Sequence, residues 1–511
     1  MIPCILFNWL LDSIVLSSIA VITLIYYFAT STYKQLKKLN VPHTPPVPLF
    51  GNVLKMVAGL ESKTDTYGRI YRQHPDAKIC GFYEMRTPFL MIRDPEIIQA
   101  IMIKDFNYFI NRGLQFDPSI NLLARSLFFA NGQKWKIMKQ KLNPGFTSVK
   151  LKGMLHNIKA CSDRLVKFIE DNINNTTGIE VSKITGNFST DVIGTCAFGL
   201  ELDTINNDSE FRKNIKKIFG LNTKSFCILL LGTIFPNVVK YFKLHVIPLE
   251  ATNYFHSVFN ELIEHRTTND VVRNDIAQEL IKAKRELVLD STGIEKFTDS
   301  DIISNAIFIL TGGSEPVAAT LAFCFYELAL NRDIQNKIRE EITSTNEKFG
   351  GQFTNELCMN LPYTDMVLNE THRKYSVVVN VIRETTQTYK VPGMDSFIIE
   401  KGQKIVIPMS SIHHDPKYYP NPKTFDPERF TKEEISKRPN GTFFPFGEGP
   451  RHCIGKRFAE WELKLVLSIV LTKFEIFPCP KTEIPLKFNK TSPVLVQAKN
   501  GIWLNFKPIV A

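Results

Sequence analysis

One thiol in this chain is set up to bind a metal. Cys453 lies in Phe446-Gly-Glu-Gly-Pro-Arg-His-Cys-Ile-Gly455, where Gly447, Gly449 and Pro450 bend the backbone at low cost. Ile454, Phe458, Trp461, Leu465 and Ile469 then recur at helical spacing, so the sulfur is delivered to the start of an amphipathic helix. Free amides and the positive end of the helix dipole favour a thiolate there, and the thiolate is the form that ligates a metal. A lone cysteine without such a context is ordinarily a small buried hydrophobe. Glu370-Thr-His-Arg373 places a carboxylate and a guanidinium one helical turn apart. By itself that spacing is an ordinary surface pair worth roughly 0.3–0.5 kcal/mol.

Several elements must position these groups. Thr298-Asp-Ser-Asp301 caps a predicted helix running to about Asn331, roughly 50 Å at 1.5 Å per residue. Within it stands Gly312-Gly-Ser-Glu-Pro-Val317. Pro316 removes one amide and clashes with the carbonyl of Gly312, which predicts a bend or an opening at that turn. Alternating segments at 78–83 and 88–92 read as a hairpin, with further extended pieces near 397–406 and 494–506. Helical periodicity dominates between about 95 and 375, so the predicted fold is mainly α with minor β.

The chain has 511 residues, 44% of them hydrophobic, and no long linker or repeat after residue 52, which favours one large catalytic domain. Its net charge of +11 suits an anionic membrane or an acidic partner. The charges are dispersed and no recognition motif accompanies them, so nucleic acid is not an expected partner. The nine cysteines are scattered without a Cys-x-x-Cys pair and read as reduced thiols facing the cytosol.

The pattern Phe-x-x-Gly-x-Arg-x-Cys-x-Gly is filled at every position by Phe446, Gly449, Arg451, Cys453 and Gly455. It resembles the haem-ligating loop of the cytochrome P450 superfamily. The resemblance implies that fold, haem b with its iron on the Cys453 thiolate, and Arg451 on a haem propionate. Trp135-Lys-Ile-Met-Lys139 is similar to the family's Trp-x-x-x-Arg propionate element, with Lys139 where arginine is usual and the bidentate fork lost. Arg383 occupies the position from which a family arginine meets the other propionate. Arg429, in Phe425-Asp-Pro-Glu-Arg-Phe430, is implied to complete a buried structural cluster with Glu370 and Arg373. Gly312 to Val317 aligns with the family's oxygen-activation motif, where Glu315 supplies the acid and Pro316 replaces the alcohol that helps relay protons for O–O cleavage. Thr311, Ser314 or a water are the candidate substitutes. Implied substrate linings are Phe116, Leu127, Phe128, Leu310, Val377, Val378, Val379 and Val494, in an apolar cavity; the turn 376–380 lacks the usual prolines.

From Leu10 to Thr30 the only charge is Asp12, giving roughly 20 residues for a membrane-crossing helix. Lys34, Lys37 and Lys38 follow at once, which places the bulk of the chain in the cytosol and silences the sequons at Asn174, Asn175, Asn187, Asn369, Asn440 and Asn489. Pro42-His-Thr-Pro-Pro-Val-Pro48 is stiff and extended, similar to the hinge of microsomal members. The expected organisation is an anchor at 1–33, a basic and proline-rich hinge at 34–52, and a haem-thiolate domain at 53–511, single-pass in the endoplasmic reticulum. A second apolar run, Phe226 to Phe235, suits either core or lipid. Lys134, Lys136, Lys139 and Lys141, with Lys456 and Arg457, predict a basic face for an NADPH-dependent flavoprotein reductase.

Leu142-Asn-Pro-Gly-Phe-Thr-Ser148 and the run 445–458 look like the insect microsomal branch that oxidises xenobiotics. The leading expectation is therefore a monooxygenase of lipophilic small molecules using O2, with coupling impaired by Pro316. Its rivals are a reductase-independent isomerase or dehydratase of lipid hydroperoxides, and a catalytically degenerate haem protein that binds hydrophobic ligands.

Overall fold

The computed structural model describes residues 2–114, 116–220, 223–287, 298–350, 353–394, 397–492 and 494–509. Met1 and the last two residues of the predicted extents 1–33 and 53–511 lie outside the described residues. The architecture is mainly α with a minor β part, as expected. Helices that frame the site are α1 (Ile2–Thr30), α2 (Gly132–Leu142), α3 (Ser148–Asn172), α4 (Val181–Phe198), α5 (Glu210–Phe219), α6 (Thr223–Ile234), α7 (Asp299–Leu330), α8 (Pro362–Lys374) and α9 (Lys456–Lys473).

The predicted hairpin is β1 (Ile79–Glu84) and β2 (Thr87–Ile92), antiparallel with Ile79 opposite Ile92. It belongs to a four-stranded sheet in which β2 runs parallel to β4 (Lys404–Ile407), and β4 pairs antiparallel with β3 (Val381–Glu384). Arg383 is therefore carried on a strand, facing Ile405 across the ladder. The expected extended run at 494–506 is shorter than predicted: it holds the bridge Val378 to Leu495 and the start of a strand at Trp503–Pro508.

Two cores result. The larger surrounds α7, whose first turn is closed by a capping box between Thr298 and Asp301, one residue pair satisfying two otherwise free amides. The smaller lies under the sheet. Although α7 is long and apolar enough to cross a membrane, most of it is buried inside the protein, which makes it a core helix. Asp12–Thr30 of α1 is also long and apolar enough, and its side chains from Ile14 to Tyr27 are exposed. The α1 helix ends beside the second apolar run: Phe28 stacks on Phe235 at 5.5 Å, and Arg86 lies 3.7 Å over the Phe28 ring.

Candidate active site

The cysteine loop is shaped by contacts that exclude side chains. Gly449 has φ +67°, and a Cβ there would fall 1.8 Å from the carbonyl oxygen of Met102, so no other residue fits. The amide of Cys453 donates to the Phe446 carbonyl at 2.8 Å, closing the turn. The α9 helix begins three residues later, at Lys456. Cys453 keeps exposed surface although protein crowds around its side chain, which therefore borders a partly enclosed space. Burial pushes the thiol up, while the Gly455 amide and the charges of Arg112 and Lys139 favour the thiolate.

Four cations gather beside this space. Arg451 donates to the carbonyls of Ile110 at 2.9 Å and Ala130 at 2.6 Å, and its guanidinium lies 4.4 Å over the Trp135 ring. Arg383 donates to the carbonyl of Ile382 at 2.8 Å. The side-chain Nε atoms of Arg112 and Arg383 are buried without a hydrogen-bond partner. Burial pulls Arg112 down to about 10, Arg383 to about 9 and Arg451 to about 8; Arg112 repels both of the others. Among the described residues none of these three, nor Lys139, is in an ion pair. Buried cations without counter-charge are costly, so a group bearing carboxylates is the complement this corner requires. With a soft thiolate facing the same space, the donors fit an iron porphyrin with two propionates.

The opposite wall is α7. Between Asp301 and Ala329 of this buried helix the partly exposed positions are Phe308, Ile309, Gly312, Gly313, Pro316 and Ala319, a stripe at helical spacing. A Cβ on Gly312 would meet nothing closer than Phe308 at 3.8 Å, so that turn is open. The stripe is joined to the cation corner by stacked groups: Phe308 on Phe128 at 5.2 Å, and Arg112 4.0 Å over Phe128. Phe129 packs edge-on against Phe128 at 5.0 Å and against Phe116 at 5.3 Å.

Pro316 does not break α7, which runs unbroken from Asp299 to Leu330. The helical run is thus not interrupted at that turn, because burial on most sides holds the helix together around one missing amide. Glu315 points away from the stripe, in a buried ion pair with Arg212 of α5, which also donates to Thr190 at 3.3 Å. Thr311 donates to the Ile307 carbonyl at 2.7 Å and Ser314 to the Thr311 carbonyl at 3.3 Å, both on buried faces. The accessible stripe thus carries no hydroxyl.

Other predicted linings are dispersed. Leu310 is wholly buried in the main core, and Val377 and Val379 are buried as well. Val378 and Val494 are 40% and 51% exposed, brought close by the bridge at Leu495. The Leu127 amide is held by Asn305 Oδ1 at 2.8 Å. Of the basic face, Lys136, Lys456 and Arg457 are exposed, whereas Lys134 pairs with Asp301 at 3.0 Å and Lys139 turns to the Pro450 carbonyl.

Behind the cysteine loop the structure brings Glu370, Arg373 and Arg429 together. Arg373 binds Glu370 through two bonds of 2.7 and 2.8 Å, with Arg429 3.5 Å away and the Asp426 amide donating at 2.9 Å. Arg373 also donates to the carbonyls of His413 and Pro422, both at 2.9 Å, tying α8 to the segment before the loop. His372, next in the chain to Arg373, packs edge-on against Phe446 at 5.0 Å.

Burial pulls His372 down to about 4, with Lys456 adding to the shift. Below pH 6.5 the unfolded chain takes up a proton that the folded chain refuses until about pH 4, so stability falls with pH across that window. At about 1.4 kcal/mol per unit this one group contributes about 3 kcal/mol of acid sensitivity. In urea titrations at pH 4.5 and 6.5, His372→Gln is expected to flatten the difference by an amount of that order; an unchanged difference would contradict the assignment.

Sequence reasoning missed three residues of this arrangement. Phe308 stands four positions before Gly312 and was discoverable from helical spacing. Arg112 and Arg212 belong to no motif, and only the fold brings them in.

A family model described as Cytochrome P450 matches residues 41–506. Cytochrome P450 6k1 of Blattella germanica is 36% identical over 510 residues, covering 96% of each chain. Cytochrome P450 6a2 of Drosophila melanogaster is 34% identical over 502 residues, with 96% of this chain and 98% of that one covered. Cytochrome P450 6B7 of Helicoverpa armigera is 32% identical over 507 residues, with 98% and 99% covered.

Proposed function

The chain belongs to the cytochrome P450 family, and from that premise we propose that it is a membrane-anchored enzyme in which Cys453 holds haem b while lipophilic substrates are oxidised. Family membership carries the general chemistry, that of a haem-thiolate monooxygenase using O2, a substrate and a redox partner. Bound haem supplies O2 activation: two electrons and two protons reduce one oxygen atom to water while the other enters a C–H bond. The observation that carries the assignment is one partly enclosed thiol facing a corner of buried cations without carboxylate partners.

In this reading Arg112, Arg383 and Arg451, with Trp135, hold the carboxylates, and Phe446, Gly449 and Gly455 shape the thiolate loop. Phe308, Gly312 and Pro316 line the oxygen side. The Phe116, Phe128 and Phe129 rings and the exposed Val378 and Val494 offer an apolar wall, suited to xenobiotics and endogenous lipophiles. Electrons come from an NADPH-dependent flavoprotein reductase docked by Lys136, Lys456 and Arg457. The α1 helix, followed by three lysines and the proline-rich hinge, anchors the domain on the cytosolic side of the endoplasmic reticulum, with α6 touching lipid beside it.

The hydroxyl-free stripe on α7 favours weak coupling of electron flow to oxygen insertion. Pro316→Thr restores an alcohol at the open turn. With reductase supplied, it is expected to raise product formed per NADPH consumed by about tenfold, below the roughly 100-fold or more that a positioned proton donor gives to a rate, and to lower hydrogen peroxide release. Tight coupling in the parent would refute the impairment. Turnover of lipid hydroperoxides without reductase, alongside no reductase-driven product, would instead favour the isomerase reading; ligand binding with neither turnover would favour the degenerate one.

A further inference from the structure

The side chain of Lys139 runs to the cysteine loop. One turn beyond Trp135 on α2, its ammonium donates to the main-chain carbonyl of Pro450. That carbonyl belongs to the short 3-10 turn Gly449–Arg451, which leads into Cys453. Arg383 and Arg451 place their bonds elsewhere, on the carbonyls of Ile382, Ile110 and Ala130. Lys139 also lies 5.7 Å over the Trp135 ring, on the wall of a groove of about 350 Å³ that Pro450 lines as well. It therefore stands between the protein surface and the loop.

The residue type suits this place. An ammonium is a compact charge with single-point donors on a flexible stem, matched to one carbonyl, whereas a guanidinium fork is matched to a carboxylate. A cation held on the loop's carbonyl restrains the turn that sets the sulfur's position, and its field favours negative charge on that sulfur.

We propose that Lys139 is a positioning residue for the Cys453 thiolate, pinning the loop through Pro450 and leaving the haem carboxylates to Arg112, Arg383 and Arg451. The inference rests on the Cys453 reading above. It separates two properties that a propionate-binding lysine would link: retention of haem, and the state of the thiolate bond.

The test uses full-length holoprotein in detergent, comparing the parent with Lys139→Met, Lys139→Arg and Arg383→Met. Haem transfer to apomyoglobin reports retention. The ferric electron paramagnetic resonance spectrum, the reduction potential and the rate at which the carbon monoxide complex loses its thiolate band on warming report the loop. Lys139→Met is expected to leave haem transfer within about twofold of the parent, to shift the potential negative, to alter the resonance signature and to lose the thiolate band several times faster. Lys139→Arg, which keeps the charge but matches a single carbonyl less well, is expected to give a resonance signature between those of the parent and Lys139→Met. Arg383→Met, by removing a charge-assisted bond, is expected to speed haem transfer at least about tenfold. Haem loss from Lys139→Met as fast as from Arg383→Met, with an unchanged resonance signature, overturns the inference, as does a variant that moves none of the readouts. A parent without a thiolate band overturns the Cys453 reading and this inference together, whereas a parent with the band and an unmoved Lys139→Met overturns the inference alone.

Discussion

Cys453→Ser is expected to abolish the thiolate signature in the carbon monoxide difference spectrum and to reduce oxygen insertion by more than about 100-fold. Residues that merely support a metal ligand change activity by roughly 10- to 100-fold, so losing the ligand itself should exceed that. A serine hydroxyl holds its proton far more tightly than a thiol: burial pushes the Cys453 thiol up, but the Gly455 amide and the charges of Arg112 and Lys139 pull towards the thiolate that a metal would complete. The loop should still fold, because Gly449 and the Cys453 amide bond to Phe446 do not depend on the side chain. Haem content should fall less than activity, since the arginine corner is untouched. Unchanged optical and magnetic spectra in the variant would remove the basis of the assignment.

Glu370→Ala should have the largest effect on the folded state. Glu370 and Arg373 are both wholly buried, and Arg429 is close by. Truncating the carboxylate strands two guanidiniums in the interior, at a cost of roughly 3–5 kcal/mol. A typical domain is stable by only about 5–15 kcal/mol, so a loss of this size should leave the variant as haem-poor, aggregation-prone protein. Haem content per protein after expression, and urea unfolding of the soluble fraction, measure it. The double variant Glu370→Leu with Arg373→Met removes both members and should recover part of the loss. Wild-type haem content in Glu370→Ala would mean that the cluster is dispensable.

The two predictions differ in how much of their basis was legible in the chain. The cysteine turn is a local object: glycines, a proline, a thiol and a helix start within ten residues, and its geometry follows from short-range chemistry. The capped helix Asp299–Leu330 was readable for the same reason, from Thr298, Asp301 and continuous apolar character. Glu370 and Arg373 were visible as a spaced pair, but their burial was not. Spacing on a helix gives relative direction and says nothing about whether that face meets water or carbonyls at His413 and Pro422.

By itself the sequence determined the class of fold, the thiol that matters, an apolar helix able to span a membrane and the missing alcohol at position 316. Each of these depends on residues near one another in the chain, where turn chemistry, helical period and residue type act directly. The tertiary structure alone decided which face of α7 is open, that Glu315 is paired with Arg212, and that Lys139 reaches Pro450. It also brought Arg112 and Arg383 into one cation corner with Arg451. Those outcomes depend on packing between segments tens to hundreds of residues apart, where burial and the need to satisfy buried charge select among partners that local sequence leaves equivalent.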